Sequence, residues 1–519
     1  MKTLLIHVKI HQHEEDALLI IDNKIAKIGF LCDFNQDEMD EIIDCEGRRI
    51  LPGFNDSHLH LIGTGAFVAS IQLQDCKSVN DVLQKVKDKL HTKAKGEWII
   101  GRGWNQDNFD ETVYPTKQML DEITVDHPIL LTRCCGHIAV ANSKAIELAK
   151  VTKDTKIDGG DFDLDSGLFK EMAIEAIHHA YPETTIQDLK EYIQVATKEC
   201  HRYGITSVQS DDFVTLTKDY HLPLLAYLEL EQEGQLQLRV NQQCQFIERK
   251  DFEQFIQEDQ LQHKDKEFFR LGPIKVVGDG SLGARTAKMS KPYHDDSQTT
   301  GMTNYTQEDF DYFVKMGMDY KMGTIIHTIG DGCLDMVLSS FDKYHDENNS
   351  NRSGLVHVQI TRLEQLDKIK KYHLHAYIQS CFIDYDSRIV RDRVGDVANT
   401  SYAFNTLYHS TTISNGSDSP VEPVNCFNGI ECAIRRSSIG RNNIYRPEEA
   451  LTLQEAIDSY TKDGAYASFE ETIKGQLKEG MLADIIVLDK DPYEIEVSDL
   501  HTIQVIRTIF NGKTVYSSL

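Results

Sequence analysis

Apolar and polar positions alternate in two different rhythms along the chain. Near the N-terminus, Leu18-Leu19-Ile20-Ile21 is followed by Asp22-Asn23-Lys24, and Ile25-Ala26-Lys27-Ile28-Gly29 then alternates. That pattern predicts a β-hairpin in a small sheet. The far end is similar: Ala483-Asp484-Ile485-Ile486-Val487-Leu488 predicts a buried strand. Val505-Ile506-Arg507-Thr508-Ile509-Phe510 then runs into Asn511-Gly512, a hairpin turn, before Thr514-Val515-Tyr516. Two β-rich ends flanking a mixed middle predict one small β-sandwich domain built from residues 1–50 and 475–519.

Between them, short apolar runs end in polar residues and lead into helical periodicity. Eight such runs can be counted, beginning with Ile50-Leu51-Pro52-Gly53-Phe54, Ile205-Thr206-Ser207-Val208, Leu238-Arg239-Val240-Asn241 and Ile274-Lys275-Val276-Val277. Thr324-Ile325-Ile326, Leu355-Val356, Ala376-Tyr377-Ile378 and Thr411-Thr412-Ile413-Ser414 complete the series. Helical patterns lie between most of them, as at 308–318 and 361–372. Eight β-then-α units predict an α/β protein with a TIM-like (β/α)8 barrel over 51–474, its active face at the strand C-terminal ends. About 150 residues separate the first run from the second, far more than one crossover helix needs. An insertion at about 62–200, acting as a lid or substrate wall, accounts for the gap.

Composition narrows the field. The 519 residues carry 55 Lys+Arg against 82 Asp+Glu, a formal net charge of −27, which argues against nucleic acid and other polyanions as partners. No run approaches the length of a membrane span, and Met1-Lys2-Thr3-Leu4-Leu5-Ile6-His7 turns polar too soon for a signal peptide. Eleven Cys without regular spacing fit free thiols in a reducing cytoplasm.

The strongest chemical signal is Asp56-Ser57-His58-Leu59-His60 at the end of a run. Strand side chains alternate with period two, so His58 and His60 point the same way and can share a metal. With 21 His in the chain the spacing also arises by chance, as at His11-Gln12-His13 and His373-Leu374-His375. His327, His357 and Asp418 stand at equivalent strand ends, where a barrel converges them on one spot. Imidazole with carboxylate suits Zn²⁺ and similar divalent ions. Lys275 is the odd member. It either sits deprotonated or carries a CO₂-derived carbamate, or it pairs with Asp279 or another acid. Gly159-Gly160-Asp161-Phe162 reads as a turn, and Gly101-Arg102-Gly103-Trp104 lacks the helix-opening glycine of a dinucleotide loop.

Longer stretches carry a resemblance: Leu51-Pro52-Gly53-Phe54-Asn55-Asp56-Ser57-His58-Leu59-His60, Gly136-His137-Ile138-Ala139-Val140-Ala141-Asn142-Ser143, Asp279-Gly280-Ser281-Leu282-Gly283-Ala284-Arg285-Thr286, His327-Thr328-Ile329-Gly330-Asp331 and Gly416-Ser417-Asp418-Ser419-Pro420. On these the chain resembles the amidohydrolase superfamily, in the branch of metal-dependent hydrolases that includes N-substituted formamide deformylase. The resemblance implies that His58 and His60 are the first-strand metal pair and that His327 and His357 are the fifth- and sixth-strand ligands. It implies that Asp418 binds metal and shuttles protons, and that Lys275 stands where relatives carry a carbamylated lysine bridging two metals. One or two divalent ions per chain, Zn²⁺ foremost, follow as the expected cofactor. The expected reaction is hydrolysis of an amide or cyclic amide in a small-molecule substrate. A non-catalytic binding barrel and a deaminase on the same fold are the competing readings. His137, Arg285 and Trp104 are candidate substrate contacts, each with a structural alternative, and Glu171 is a rival to Lys275 as bridging ligand. A cytoplasmic homodimer is the remaining expectation.

Overall fold

A computed structural model describes residues 1–518. Its largest sheet has eight strands, all parallel to their neighbours: β1 (Phe54–Leu59), β2 (Ile205–Ser210), β3 (Arg239–Gln245), β4 (Phe269–Val277), β5 (Thr324–Thr328), β6 (Gly354–His357), β7 (His375–Ile378) and β8 (Ile413–Asn415). They pair in chain order. The ring is closed less regularly between β8 and β1, where Ser57 Oγ donates to Asn415 O at 2.7 Å and Asp418 N donates to His58 O at 2.8 Å. The barrel is therefore nearly complete, as the run count predicts.

The helices have local causes. In Gln307–Asp319, which follows β4, Thr306 and Asp309 form a reciprocal capping box, and Phe310, Phe313, Val314 and Gly317 recur at helical spacing on the buried face. Its neighbour in the ring of helices, Asp331–Lys343, buries Leu334, Val337, Leu338 and Phe341 in the same way.

The first predicted run divides in two. Arg49–Pro52 belongs to a five-stranded sheet with Ile485–Leu488, Val505–Phe510, Lys513–Ser517 and Lys9–Ile10, and the barrel strand starts only at Phe54. Gly53 marks the crossing because a Cβ there would lie 2.2 Å from Thr206 Oγ1. A second, four-stranded sheet is entirely N-terminal and contains the hairpin of Ala17–Ile21 and Lys24–Gly29. Leu5, Leu18, Ile20, Ile25, Ile50, Ile485 and Ile509 form the core these two sheets share. The C-terminal hairpin turns at Asn511 and Gly512, with φ of 50° and 77°, the left-handed pair that an Asn-Gly turn supplies.

Gly65–Thr185 forms a compact unit of its own. It holds a six-stranded mixed sheet ordered Gly160–Asp163, Leu168–Glu171, Ile138–Ala141, Ile129–Arg133, Ile99–Trp104, Ile71–Gln72. Its core includes Val82, Val86, Trp104 and Leu131. The helix Ile186–Arg202, inside the predicted insertion, groups instead with the barrel. No helix among the described residues is long and apolar enough to cross a membrane.

Candidate metal centre

Four imidazoles and one carboxylate meet at the C-terminal ends of β1, β5, β6 and β8. His58 Nε2 and His60 Nε2 each lie 3.4 Å from Asp418 Oδ1. The His58 ring centroid is 5.6 Å from that of His357, which is 4.4 Å from that of His327. The backbone is bent to achieve this. His357, Val358 and Asp418 hold φ of 76°, 50° and 57°, left-handed values that cost a residue with a Cβ and that concentrate at functional sites. Gly416 lets the β8 loop press against β1, because a Cβ there would stand 2.6 Å from His58 N.

The partners of these rings decide their chemistry. His60 Nδ1 donates to the Asp211 carbonyl at 2.7 Å, and His327 Nδ1 donates to Asp279 Oδ1 at 3.0 Å. His58 Nδ1 donates to Gln243 Oε1 at 2.6 Å, an orientation fixed by Gln243 Nε2 donating to the Ser57 carbonyl at 3.0 Å. His357 Nδ1 donates to Gln379 Oε1 at 2.6 Å. Each ring thus commits Nδ1 to an acceptor and keeps Nε2 for another partner, the arrangement that surrounds metal-ligating histidines. Burial first, and then the Lys275 charge, holds His58 below the usual imidazole range; burial, followed by His327, pushes His357 well below it. Neutral imidazole is the form that binds metal. Burial opposes ionisation of Asp418, yet the two imidazoles against it keep its carboxyl well below the usual range. Burial opposes a charge on His60, yet Asp418 against it pushes it up to about 9, so in the free protein a proton between His60 Nε2 and Asp418 Oδ1 holds the place that a cation would take. The donor set therefore fits a divalent ion, and His58, His60 and Asp418 are the one group among the described residues close enough to share it by simple proximity.

Lys275 is buried on β4 with its ammonium 3.0 Å from Asp211 Oδ2, itself fully buried. The ion pair anticipated as one alternative is thus formed, with Asp211 rather than Asp279 as the acid. Asp279 is occupied elsewhere, accepting from the backbone N–H groups of Lys288, Ile329 and Gly330 as well as from His327. Asp56, in the first motif, accepts from His58 N and Ser417 N, and burial pushes it up to about 7.

The three candidate substrate contacts have other commitments. Trp104 is fully buried in the core of the Gly65–Thr185 unit, where Nε1 donates to the Leu131 carbonyl at 2.9 Å. It packs, as its structural alternative holds, and lines no surface. Arg285 makes a two-point ion pair with Asp295 at 3.1 and 2.9 Å. His137 is exposed and bonds through Nδ1 to Glu171 Oε2 at 2.9 Å, both in the Gly65–Thr185 unit. Sequence reasoning missed Asp211, Gln243 and Gln379. A signal existed for two of them: Asn241-Gln242-Gln243-Cys244-Gln245 is an amide-rich stretch of β3, and Asp211-Asp212 directly follows β2.

Comparison with known proteins agrees with this geometry. The model of the amidohydrolase family matches residues 41–516. The chain is 32% identical over 486 residues to YtcJ of Bacillus subtilis (strain 168), named as an amidohydrolase, covering 92% of this chain and 90% of the relative. It is 23% identical over 518 residues to the N-substituted formamide deformylase of Arthrobacter pascens, covering 92% and 90%. A crystal structure of an uncharacterized metal-dependent hydrolase from Pyrococcus furiosus superposes with a TM-score of 0.78 at 29% identity, covering 95% of this chain and 100% of that one. With the family model spanning nearly its whole length and ligand-type residues gathered at the strand ends, the chain belongs to the amidohydrolase family and is a hydrolase.

Proposed function

We propose that the chain hydrolyses a C–N bond, in an amide or cyclic amide, at a divalent-metal centre held by His58, His60, His327, His357 and Asp418. Zn²⁺ is the ion these imidazole and carboxylate donors suit best. The observation that carries the reading is the set of four rings whose Nδ1 atoms are committed to acceptors, with the Nε2 atoms of His58 and His60 each 3.4 Å from Asp418 Oδ1. A bound divalent ion would supply Lewis acidity, lowering the pKa of water and polarising a carbonyl. Asp418 accepts the proton that the attacking water gives up and returns it to the leaving nitrogen, so the amine departs neutral. The relative named as a deformylase supports the amide class and makes N-substituted formamides the first substrates to assay.

The Lys275–Asp211 pair supports a centre of one ion. A carbamate on Lys275 would set a second anion against a buried carboxylate that now has an ammonium 3.0 Å away. Deamination is the second reading that a single ion favours, and ammonia release from aminoheterocycles separates it from amide hydrolysis.

Metal content of protein purified without chelator, followed by assay of Asp418→Asn, tests the proposal. About one ion per chain is expected, with turnover in the variant falling roughly 10²–10⁴-fold and metal content falling far less. Two ions per chain would restore a bridging carbamate on Lys275. Equal turnover in Asp418→Asn would remove the proton transfer, and no uptake of Zn²⁺ would leave a binding barrel.

A further inference from the structure

At the other end of the barrel, where the strands begin, Arg270, Leu271, Gly272 and Pro273 of β4 border a pocket of about 340 Å³. Its wall is positively charged in a chain of net charge −27: Lys264, Arg270, Lys321 and Arg352 line it, against the single acid Asp265. Two of these cations are neutralised. Arg270 pairs with Asp265 and reaches Glu470, and Arg352 pairs with Glu471 at 2.6 Å. Lys264 donates to the Lys321 carbonyl at 2.9 Å, and no acid lies within ion-pair distance of either lysine ammonium among the described residues. The inner part is polar in a different way. Tyr377 and Asn241 line the pocket, both are buried, and the Tyr377 hydroxyl and Asn241 Oδ1 have no hydrogen-bond partner among the described residues. Buried polar atoms are rarely left so, because each unmet one costs about 1–3 kcal/mol. Met322 and Ala467 are among the apolar residues that line the pocket.

We infer that this pocket is a second ligand site, distinct from the metal centre, for a small organic carboxylate carrying a hydrogen-bonding group at its opposite end. The carboxylate meets the ammonium groups of Lys264 and Lys321, neither of which is paired with an acid among the described residues. The distal group, a hydroxyl or amide able both to donate and to accept, satisfies the Tyr377 hydroxyl and Asn241 Oδ1.

Ligand-observed saturation-transfer NMR with 4-hydroxyphenylacetate tests this, since the probe has the required ends and no bond this hydrolase class would cleave. Transfer is expected in the natural protein and, undiminished, in His58→Ala/His60→Ala. Affinity should fall about tenfold in Lys321→Glu and about fivefold in Tyr377→Phe, as loss of a charged and of a neutral hydrogen bond dictates. Ala467→Trp, which fills the pocket, should abolish transfer. If that variant does not fold, Lys321→Glu and Tyr377→Phe decide the matter, because one is at the surface and the other removes a single atom. Absence of transfer in the natural protein would overturn the inference. So would transfer that disappears in His58→Ala/His60→Ala while persisting in Lys321→Glu and Tyr377→Phe, since the carboxylate would then be sitting at the metal centre.

Discussion

The C-terminal end of β1 and the N-terminal end of β7 carry the same motif and do opposite things with it. At β1, His58 and His60 each commit Nδ1 to one acceptor and keep Nε2 for Asp418. At β7, His375 is buried and spends both nitrogens, Nδ1 on Thr412 Oγ1 and Nε2 on Ser414 Oγ, each at 2.8 Å. His373, two residues earlier, turns out of the strand altogether with φ of 50°. Spacing alone therefore does not make a metal site. The two pairs differ in that the fold occupies one nitrogen of His58 and of His60 and turns the other to Asp418, whereas it occupies both nitrogens of His375.

Replacing both members of one pair tests that distinction most severely. His58→Ala/His60→Ala should abolish metal binding and lower turnover more than a thousandfold, on the order of what removal of an essential group costs. His375→Ala should keep the full metal content, read by elemental analysis. Its cost should fall on stability, about 1–3 kcal/mol by urea unfolding, because Thr412 and Ser414 lose their buried partner. Loss of metal in His375→Ala would erase the comparison.

A finer test leaves every ligand in place. Gln243→Leu removes the acceptor behind His58 together with the donor to the Ser57 carbonyl, and metal affinity should fall roughly 10–100-fold in competition with a chromophoric chelator. Thr412→Val, the corresponding change behind His375, should leave affinity unchanged. If Gln243→Leu is also silent, the Nδ1 partner has no part in making His58 a ligand.

The smallest expected effect concerns protons. Burial holds His375 down to about 3 from an ordinary 6.5. Below 6.5 the unfolded chain takes up a proton that the folded chain refuses, so this group makes stability fall as pH drops from about 6.5 towards 3. Between pH 6 and pH 5 it contributes about 1 kcal/mol of that loss. His375→Asn should flatten the pH dependence of urea unfolding by that amount, and an unchanged slope would show that His375 is protonated when folded.

The eightfold repeat of the barrel and the strand-end positions of His58, His60, His327, His357 and Asp418 were legible because both depend on local pattern: period two within strands, and a polar residue at each strand end. What escaped depends on partners remote in sequence. Gln243 reaches His58 across 185 positions and Lys275 reaches Asp211 across 64, and nothing in either neighbourhood announces the other. The division of the first run at Gly53 was hidden for a related reason. Ile50-Leu51 and Phe54 are equally apolar, and only the arrival of Ile485–Leu488 assigns the former to a different sheet. Trp104 misled because an aromatic with a polar N–H suits a pocket wall and a core equally well until the Leu131 carbonyl is seen to accept from it.

The closure between β8 and β1 also sets a schedule for biosynthesis. Ser417 N donates to Asp56 across 361 positions, and Asp418 completes the cluster that His58 and His60 begin. At about 5–20 residues per second, roughly 20–70 s of translation separate the first two ligands from the last. Throughout that interval the emerging chain presents an open parallel edge at β1 and a histidine pair without its carboxylate. The strand that pairs with Arg49–Pro52 is made later still. The enzyme is thus assembled around a gap that its own final segments fill, and its newborn chain spends most of synthesis as a client for whatever shields unpaired strands in the cell.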